Sequence, residues 1–462
     1  MKKLVIGLSI LAIVVLAAWF FLFRKPPPPP TRFVLIVADA LRADHLGCYG
    51  HERDLTPNID AFAADSLVFT DVTAAGPWTL SSNPGLFTGR YPYEVFNYDK
   101  VKLLDNAITM AERFQAAGYK TAAFSAHPLI TKTRGFDQGF DEFQEFDGPK
   151  DAVDNALLSR FLRWMPKNMA EPTFVLLYFY DPHIPYDPRP IPQTTAAKLK
   201  GARDYIRQGD IVNREGHRKP AIMENPQEKW ECSLDEIDLL HELYEGDIAE
   251  EDIRIGQVLE ALRGSKAVIA ITSDHGEEWL EHGGLFHKEM LYQELLHVPL
   301  ILRIPGRKAG VVTAPVSNLD LMPTLLEVAK IEPEPGLRGR SLLSDSFDED
   351  RPLFSEARHV SADVRRYGVK EDSITVMHSL AGWPDDPPIP EGGRWECYNL
   401  EADPTQQETL SLDEYADLQE MLLAHEEKVF AFEAALAQKS PASEGIPEDL
   451  QEKLEALGYL GG

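Results

Sequence analysis

Cysteine is scarce, with Cys48, Cys232 and Cys397 scattered through 462 residues. Three thiols so far apart do not make a disulfide framework; one bridge with a leftover thiol is the most they allow, and their spacing gives no argument for it. Basic residues are in the minority, 46 Lys and Arg against 74 Asp and Glu, for a formal net charge of −28. That balance argues against a nucleic-acid partner, because phosphate backbones are held mainly by Lys and Arg. It also makes capture of an anionic substrate depend on local charge, a bound cation included. Internal repeats are absent, which excludes a repeat array. Long hydrophobic runs are absent too, with one exception.

The exception is Leu4 to Phe23, preceded by Lys2 and Lys3 and closed by Arg24 and Lys25. About twenty apolar residues suffice to cross a bilayer as a helix. A cleaved signal peptide is the competing reading, but no small-x-small cleavage site ends the run and no nearby cysteine could be lipidated. A retained single-pass anchor is therefore expected, with the body outside the cytoplasm, periplasmic in a bacterium. Pro26 to Pro30 then forms a stiff spacer of about 3 Å per residue.

What remains is ample for a large core. Four apolar runs each end in a residue able to bind a metal or an anion: Phe33–Ala38 before Asp39, Thr121–Ser125 before His127, Thr173–Tyr180 before Asp181 and His183, and Ala267–Thr272 before Asp274 and His275. In an open sheet of buried parallel strands the ligand crevice lies beyond the carboxyl ends, where distant residues converge. Strands alternate with helical patterns from Thr31 onward, so an α/β sandwich with a mostly parallel sheet is expected. Ser233 to Glu236 is a capping box opening a long amphipathic helix that stops at Gly264. Beyond about Pro333 the pattern weakens to strands near Ser373–His378 and Trp395–Leu400 and a helix over Leu412–Ala437, a smaller α+β subdomain. The expected organisation is 1–30 anchor and spacer, 31–332 catalytic domain and 333–462 C-terminal subdomain. Polar Thr194–Glu231 reads as an insertion over the crevice.

Several blocks together carry a resemblance: Val37-Ala-Asp-Ala-Leu-Arg-Ala-Asp-His-Leu-Gly-Cys-Tyr-Gly50, Thr56-Pro-Asn-Ile-Asp60, Leu86-Phe-Thr-Gly-Arg-Tyr-Pro92, Asp181-Pro-His-Ile-Pro-Tyr186, Thr272-Ser-Asp-His-Gly-Glu-Glu278 and Asn318-Leu-Asp-Leu-Met-Pro-Thr-Leu-Leu326. In this order they resemble the sulfatase family of the alkaline phosphatase superfamily. The resemblance implies an alkaline-phosphatase-like α/β/α sandwich and a metal-dependent enzyme acting on sulfate or phosphate esters.

The family's nucleophile precedes the Thr of a Thr-Gly pair by nine residues, in a Cys/Ser-x-Pro-x-Arg signature. Counting back from Thr88-Gly89 reaches Thr79, followed by Leu80, Ser81, Ser82 and Asn83. Members that oxidise Cys or Ser there make formylglycine. Thr79 carries a methyl on Cβ and cannot yield an aldehyde, so no formylglycine is expected. A threonine hydroxyl can still attack when a divalent cation lowers its pKa, as in related phosphodiesterases and phospho-head-group transferases. The bland alternative is a helix cap near Ser81, with Ser81 and Ser82 as other candidate hydroxyls.

By the same resemblance the metal ligands are Asp39, Thr79, Asp274 and His275, a set suited to one divalent ion, Mn, Mg, Zn or Ca. A second ion would need Asp181, His183 or His287. Thr79, His183, His287 and Lys288 are the expected catalytic residues, with His183 binding the anion or protonating the leaving oxygen and His287 or Lys288 stabilising negative charge. His127 and Asn83 are assigned to the substrate. Arg42, Asp44, His45 and Asp320 are expected to be structural. The leading reading is a membrane-anchored sulfate or phosphate ester hydrolase. The alternatives are a phosphodiesterase or phospho-head-group transferase, and a binding scaffold that has lost its chemistry, which Ala40 and the missing Pro-x-Arg motivate.

Overall fold

The structure is a computed structural model and describes residues 30–148, 150–186, 234–287, 290–343, 351–360, 363–382, 388–439 and 451. The expected anchor, Pro26–Pro29 of the polyproline spacer, the insertion at Thr194–Glu231 and Lys288 lie outside these. Among the described residues no helix is long and apolar enough to cross a membrane.

Eight strands form the central sheet: β1 (Arg32–Ala38), β2 (Leu67–Phe69), β3 (Lys120–Ser125), β4 (Glu142–Glu145), β5 (Thr173–Phe179), β6 (Val268–Thr272), β7 (Leu300–Arg303) and β8 (Gly310–Val312). Their spatial order is β8-β2-β7-β6-β1-β5-β3-β4. All pairings are parallel except those of β7, which runs against both β2 and β6. β1, β5 and β6 are buried almost throughout. Strands covered on both faces read as continuous Val, Ile, Leu and Phe runs rather than alternating ones, which is why they stood out in the sequence.

The four apolar runs are neighbours. β6, β1, β5 and β3 occupy consecutive places, and their register aligns Ala38 with Phe179, Val37 with Thr272, and Ser125 with Tyr178. Their carboxyl ends therefore stand level, and the residues that follow them issue side by side.

Helix α1 (Thr79–Thr88) is buried over its whole length. Helix α2 (Lys150–Asn168) runs between β4 and β5, and α3 (Leu234–Ala261) leads into β6; α3 matches the expected amphipathic helix, with Leu240, Leu243, Tyr244, Ile248, Ile255 and Val258 buried. A second sheet, β9 (Leu353–Arg358), β10 (Arg365–Glu371), β11 (Ile374–Ala381) and β12 (Arg394–Asn399), is an antiparallel meander covered by α4 (Ala416–Lys439). β11, β12 and α4 lie where expected. β9 and β10 do not appear in the sequence reading, because Leu-Phe-Ser-Glu-Ala-Arg and Arg-Arg-Tyr-Gly-Val-Lys-Glu offer few β-branched residues and carry a charge at nearly every turn of the pattern.

Candidate active site

Asp39 is anchored directly beyond β1, its N–H donating to the Phe179 carbonyl at 3.3 Å. Ala40 then takes a left-handed conformation, φ 57°, a strain of order 1–2 kcal/mol for a residue with a Cβ. Tyr244 of α3 holds that turn, donating its hydroxyl to the Ala40 carbonyl at 2.7 Å and accepting the Arg42 N–H at 3.1 Å. The Leu41 N–H donates to Ser273 Oγ at 2.9 Å, tying the turn to the loop after β6. In that loop Gly276 passes so close to Glu294 that a Cβ would lie 2.0 Å from its carbonyl oxygen, which only glycine avoids.

Thr79 opens α1 and is fully buried. Its Oγ1 lies 3.4 Å from His275 Nε2. One turn later Asn83 Nδ2 donates to Asp274 Oδ2 and to the Tyr178 hydroxyl, both at 2.8 Å, and the Tyr178 hydroxyl donates to Asp274 Oδ2 at 2.7 Å. The His275 N–H supports Asp274 Oδ1 at 3.0 Å. Ser81 and Ser82 are not spare hydroxyls: Ser81 Oγ closes the helix cap with Trp78, and Ser82 Oγ donates to the Asp274 carbonyl at 2.6 Å while accepting from Asn318 Nδ2. The helix does begin here, as the bland alternative held, but with Trp78 as its cap and Thr79 inside.

Asp39, Asp274 and His275 each bring a ligand atom within 4.8 Å of the others. Asp274 has its protein donors. Asp39 does not: both its oxygens are buried with no hydrogen-bond partner among the described residues, and the same holds for Asn83 Oδ1 and His127 Nε2. His127 Nε2 is 3.1 Å from Asp39 Oδ2 and His275 Nε2 is 3.4 Å from Asp39 Oδ1, close enough to be neighbours but outside hydrogen-bond geometry. Burial, then Asp274, then Glu277 push the Asp39 carboxyl well above the usual carboxylate range. A buried carboxylate without donors costs several kcal/mol unless a cation joins it, so this donor set fits a divalent ion.

The histidines separate by tautomer. A carbonyl oxygen can only accept and a backbone N–H can only donate, so each Nδ1 partner fixes the ring. His275 Nδ1 donates to the Gly276 carbonyl at 2.9 Å and His183 Nδ1 to the Ile184 carbonyl at 2.6 Å. Burial holds both rings below the ordinary histidine range, so each Nε2 carries a lone pair. His127 is the reverse: its Nδ1 accepts the Leu129 N–H at 3.0 Å, which leaves the proton on Nε2 of a ring that burial keeps neutral. His127 can therefore donate to an anion but is unsuited to a metal, whereas His275 suits a metal. His287 Nδ1 meets Glu277 Oε1 at 2.7 Å, and Tyr186 braces the other Glu277 oxygen at 2.6 Å. The rings of His183 and His275 lie 4.5 and 4.6 Å from that of His287, centroid to centroid.

Asp181 does not join this group as a ligand. Lys150 takes its Oδ1 at 2.8 Å and Arg254 its Oδ2 at 2.6 Å. Lys150 also pairs with Asp247 at 2.8 Å and donates to the His183 carbonyl, so this buried charge cluster backs the histidine loop. Sequence reasoning missed Lys150, Glu277, Tyr178 and Arg254. The available signal was Asp247, Glu251 and Arg254 at helical spacing on the same stripe as Ile248 and Ile255, charges where the pattern calls for core. Asp320 is structural as expected, though its oxygens accept from Ser317 N, Arg340 N and Arg351 rather than from its own helix.

The family profile described as sulfatase matches residues 31–331. The chain belongs to the sulfatase family. Its enzyme class is accordingly ester hydrolase. A second profile, N-sulphoglucosamine sulphohydrolase, C-terminal, matches residues 280–430. An uncharacterized sulfatase of Escherichia coli K12, YidJ, is 24% identical over 402 residues, 77% of each chain. The crystal structure of a phosphonate monoester hydrolase of Agrobacterium radiobacter superposes with a TM-score of 0.66 at 20% identity, covering 88% of this chain and 96% of that one. A protein solved with its substrate D-glucosamine-2-N,6-O-disulfate gives 0.65 at 19%, covering 90% and 100%. These two likenesses establish the alkaline-phosphatase-like fold expected from the sequence.

Proposed function

We propose that this sulfatase-family chain hydrolyses sulfate or phosphate esters with Thr79 as nucleophile, beside a single divalent ion held by Asp39, Asp274 and His275. The observation that carries the reading is the position of Thr79 Oγ1, 3.4 Å from His275 Nε2, which itself lies 3.4 Å from Asp39 Oδ1, a carboxylate whose oxygens have no hydrogen-bond partner among the described residues. When bound, the ion would supply positive charge that acidifies the Thr79 hydroxyl and offsets the negative charge of the ester.

The remaining work falls to the chain itself. Thr79 Oγ1 forms a bond to sulfur or phosphorus as the bond to the alcohol oxygen breaks, and the threonine proton ends on the departing alcohol. Water then cleaves the Thr79 ester, releasing sulfate or phosphate and restoring the hydroxyl. His127 Nε2–H donates to the anion, and Asn83 acts on the substrate mainly by fixing Asp274 and the Thr79 carbonyl. His183 keeps its proton on Nδ1, donated to the Ile184 carbonyl, so its Nε2 does not protonate the leaving oxygen but can accept a hydrogen bond from the attacking water, with His287, oriented by Glu277, facing the same oxygens. The Leu4–Phe23 run is proposed to anchor the body outside the cytoplasm; full release of the protein by alkaline carbonate would contradict that.

The test is turnover of nitrophenyl sulfate, phosphate monoester and phosphodiester with Mn, Mg, Zn or Ca. Thr79→Ala should lose at least about 1,000-fold of the metal-dependent rate, and the preferred ester identifies the substrate class. Undiminished turnover in Thr79→Ala would remove the nucleophile assignment. A protein that takes up its ion and turns over none of the esters would favour transfer to a separate acceptor.

A further inference from the structure

Away from Asp39, a second set of donors converges where the loop after β1 meets α3. His241 and Glu245 are four residues apart on α3 and so share a face. His45 reaches them from the short helical turn Ala43–His45. His45 Nε2 and His241 Nε2 are 2.9 Å apart, and one donor atom from each of His45, His241 and Glu245 lies within 4.8 Å of the others. His45 Nδ1 donates to Asp44 Oδ1 at 2.9 Å, which turns the Nε2 lone pair of a neutral ring towards His241. Two imidazoles thus meet nitrogen to nitrogen, with a carboxylate beside them.

His51 extends the group. Its ring stacks on that of His45 at 5.3 Å, and its Nδ1 donates to the Asp44 carbonyl at 3.1 Å. Its Nε2 faces Glu245 Oε1 at 3.6 Å, beyond hydrogen-bond reach, and this buried nitrogen has no hydrogen-bond partner among the described residues. Arg53 engages Glu245 through the other oxygen, Oε2. A simple hydrogen bond from His241 Nε2–H to His45 satisfies one contact and leaves His51 Nε2 and Glu245 Oε1 facing each other unbridged. A cation accommodates all of them, and the Asp44 carboxylate on His45 Nδ1 and the Asp44 carbonyl on His51 Nδ1 are the support that metal-binding histidines use.

We propose that His45, His241 and Glu245, with His51 alongside, bind a second divalent ion of the zinc class. Two imidazoles and one carboxylate are a zinc-type donor set. The ion would pin the loop after Asp39 to α3 one turn from Tyr244, which holds the strained Ala40.

The experiment uses the full chain carrying Asp39→Asn, so that binding at the first site, whether or not that site takes a metal, does not enter the count. After chelation the protein is titrated with Zn2+ by calorimetry and with Co2+ by visible absorption. One equivalent should bind, with a tetrahedral Co2+ spectrum, and His241→Gln should weaken it at least about 100-fold. Equal Zn2+ affinity and stoichiometry with and without His241→Gln would overturn the proposal, as would no binding in either protein. Should His241→Gln fail to fold, Glu245→Gln is read by thermal unfolding: Zn2+ should raise Tm in its presence of Glu245 only, and an equal rise in both proteins would equally overturn the site.

Discussion

Two acid clusters lie side by side behind the carboxyl ends of the sheet, and they resolve the same electrostatic problem in opposite ways. Around Asp181, the buried Asp154, Asp247 and Glu251 are accompanied by the chain's own Lys150 and Arg254, and Asp181 has a cation on each oxygen. Around Asp39, the buried Asp274 has hydrogen-bond donors but no Lys or Arg paired with it among the described residues, and neither oxygen of Asp39 has a hydrogen-bond partner among them. Both groups contain carboxylates close enough to share an ion. Proximity of acids therefore does not identify a metal site; the absence of an internal cation and of donors does. The first cluster is scaffold, and the second is where a cation from solution has work to do.

Substitution should separate the two clusters by the sign of the stability change. The largest effect is expected for Asp39→Asn, which keeps the shape and removes the undonated charge. Turnover should fall at least about 1,000-fold, or about 4 kcal/mol, while the metal-free protein becomes more stable by about 1–3 kcal/mol. Paired rate assays and denaturant melts of the metal-free proteins check both halves; an Asp39→Asn protein that is less stable than its metal-free parent would break the contrast. Next comes Arg254→Met, which strips one cation from Asp181 and Glu251. A buried pair broken on one side costs about 3–5 kcal/mol, seen as an earlier urea midpoint. A loss below about 1 kcal/mol would mean that Lys150 alone suffices, and the two clusters would differ less than the geometry indicates.

The sequence disclosed the second kind of cluster far better than the first, for a physical reason. Asp39, His127, Asp274 and His275 follow apolar strands, and parallel strands bring their ends to one edge, so listing run-ends was enough to find neighbours in space. Thr79 was legible only through the resemblance, because nothing about a threonine at the start of a buried polar helix announces chemistry. Asp181, named from the sequence only as a ligand that a second ion would need, has its partners on α2 and α3, far away in the chain, and no local pattern shows which carboxylate has already been neutralised. The tautomers of His127 and His183 were likewise invisible, being set by the backbone groups of Leu129 and Ile184. Strand β7 is apolar at Leu300, Ile301 and Leu302, yet its reversed direction depends on how the chain crosses the sheet rather than on composition.

A third acid shows the remaining way out. Glu278 is buried beside His282 and Glu294, one donor atom of each lying within 4.8 Å of the others; its Oε1 accepts the His282 and Gly284 N–H groups at 3.2 and 2.6 Å, and Oε2 has no hydrogen-bond partner among the described residues. Nearby Glu294 has His282 at 2.6 Å. Burial, then Glu294, push the Glu278 carboxyl up from 4.5 to about 7, so it takes a proton in place of a cation. Its folded value lies above its unfolded one, so the stability it contributes is complete below pH about 4.5 and is lost as pH rises to about 7. At its steepest the loss is about 1.4 kcal/mol per pH unit. Glu278→Gln keeps the acceptor that the two N–H groups use and removes the titration. Its stability relative to the parent should therefore climb across that window and stay level on either side, measured by denaturant melts at several pH values. Parallel curves would show that Glu278 is ionised in the fold, and that a buried acid can persist here with backbone donors alone.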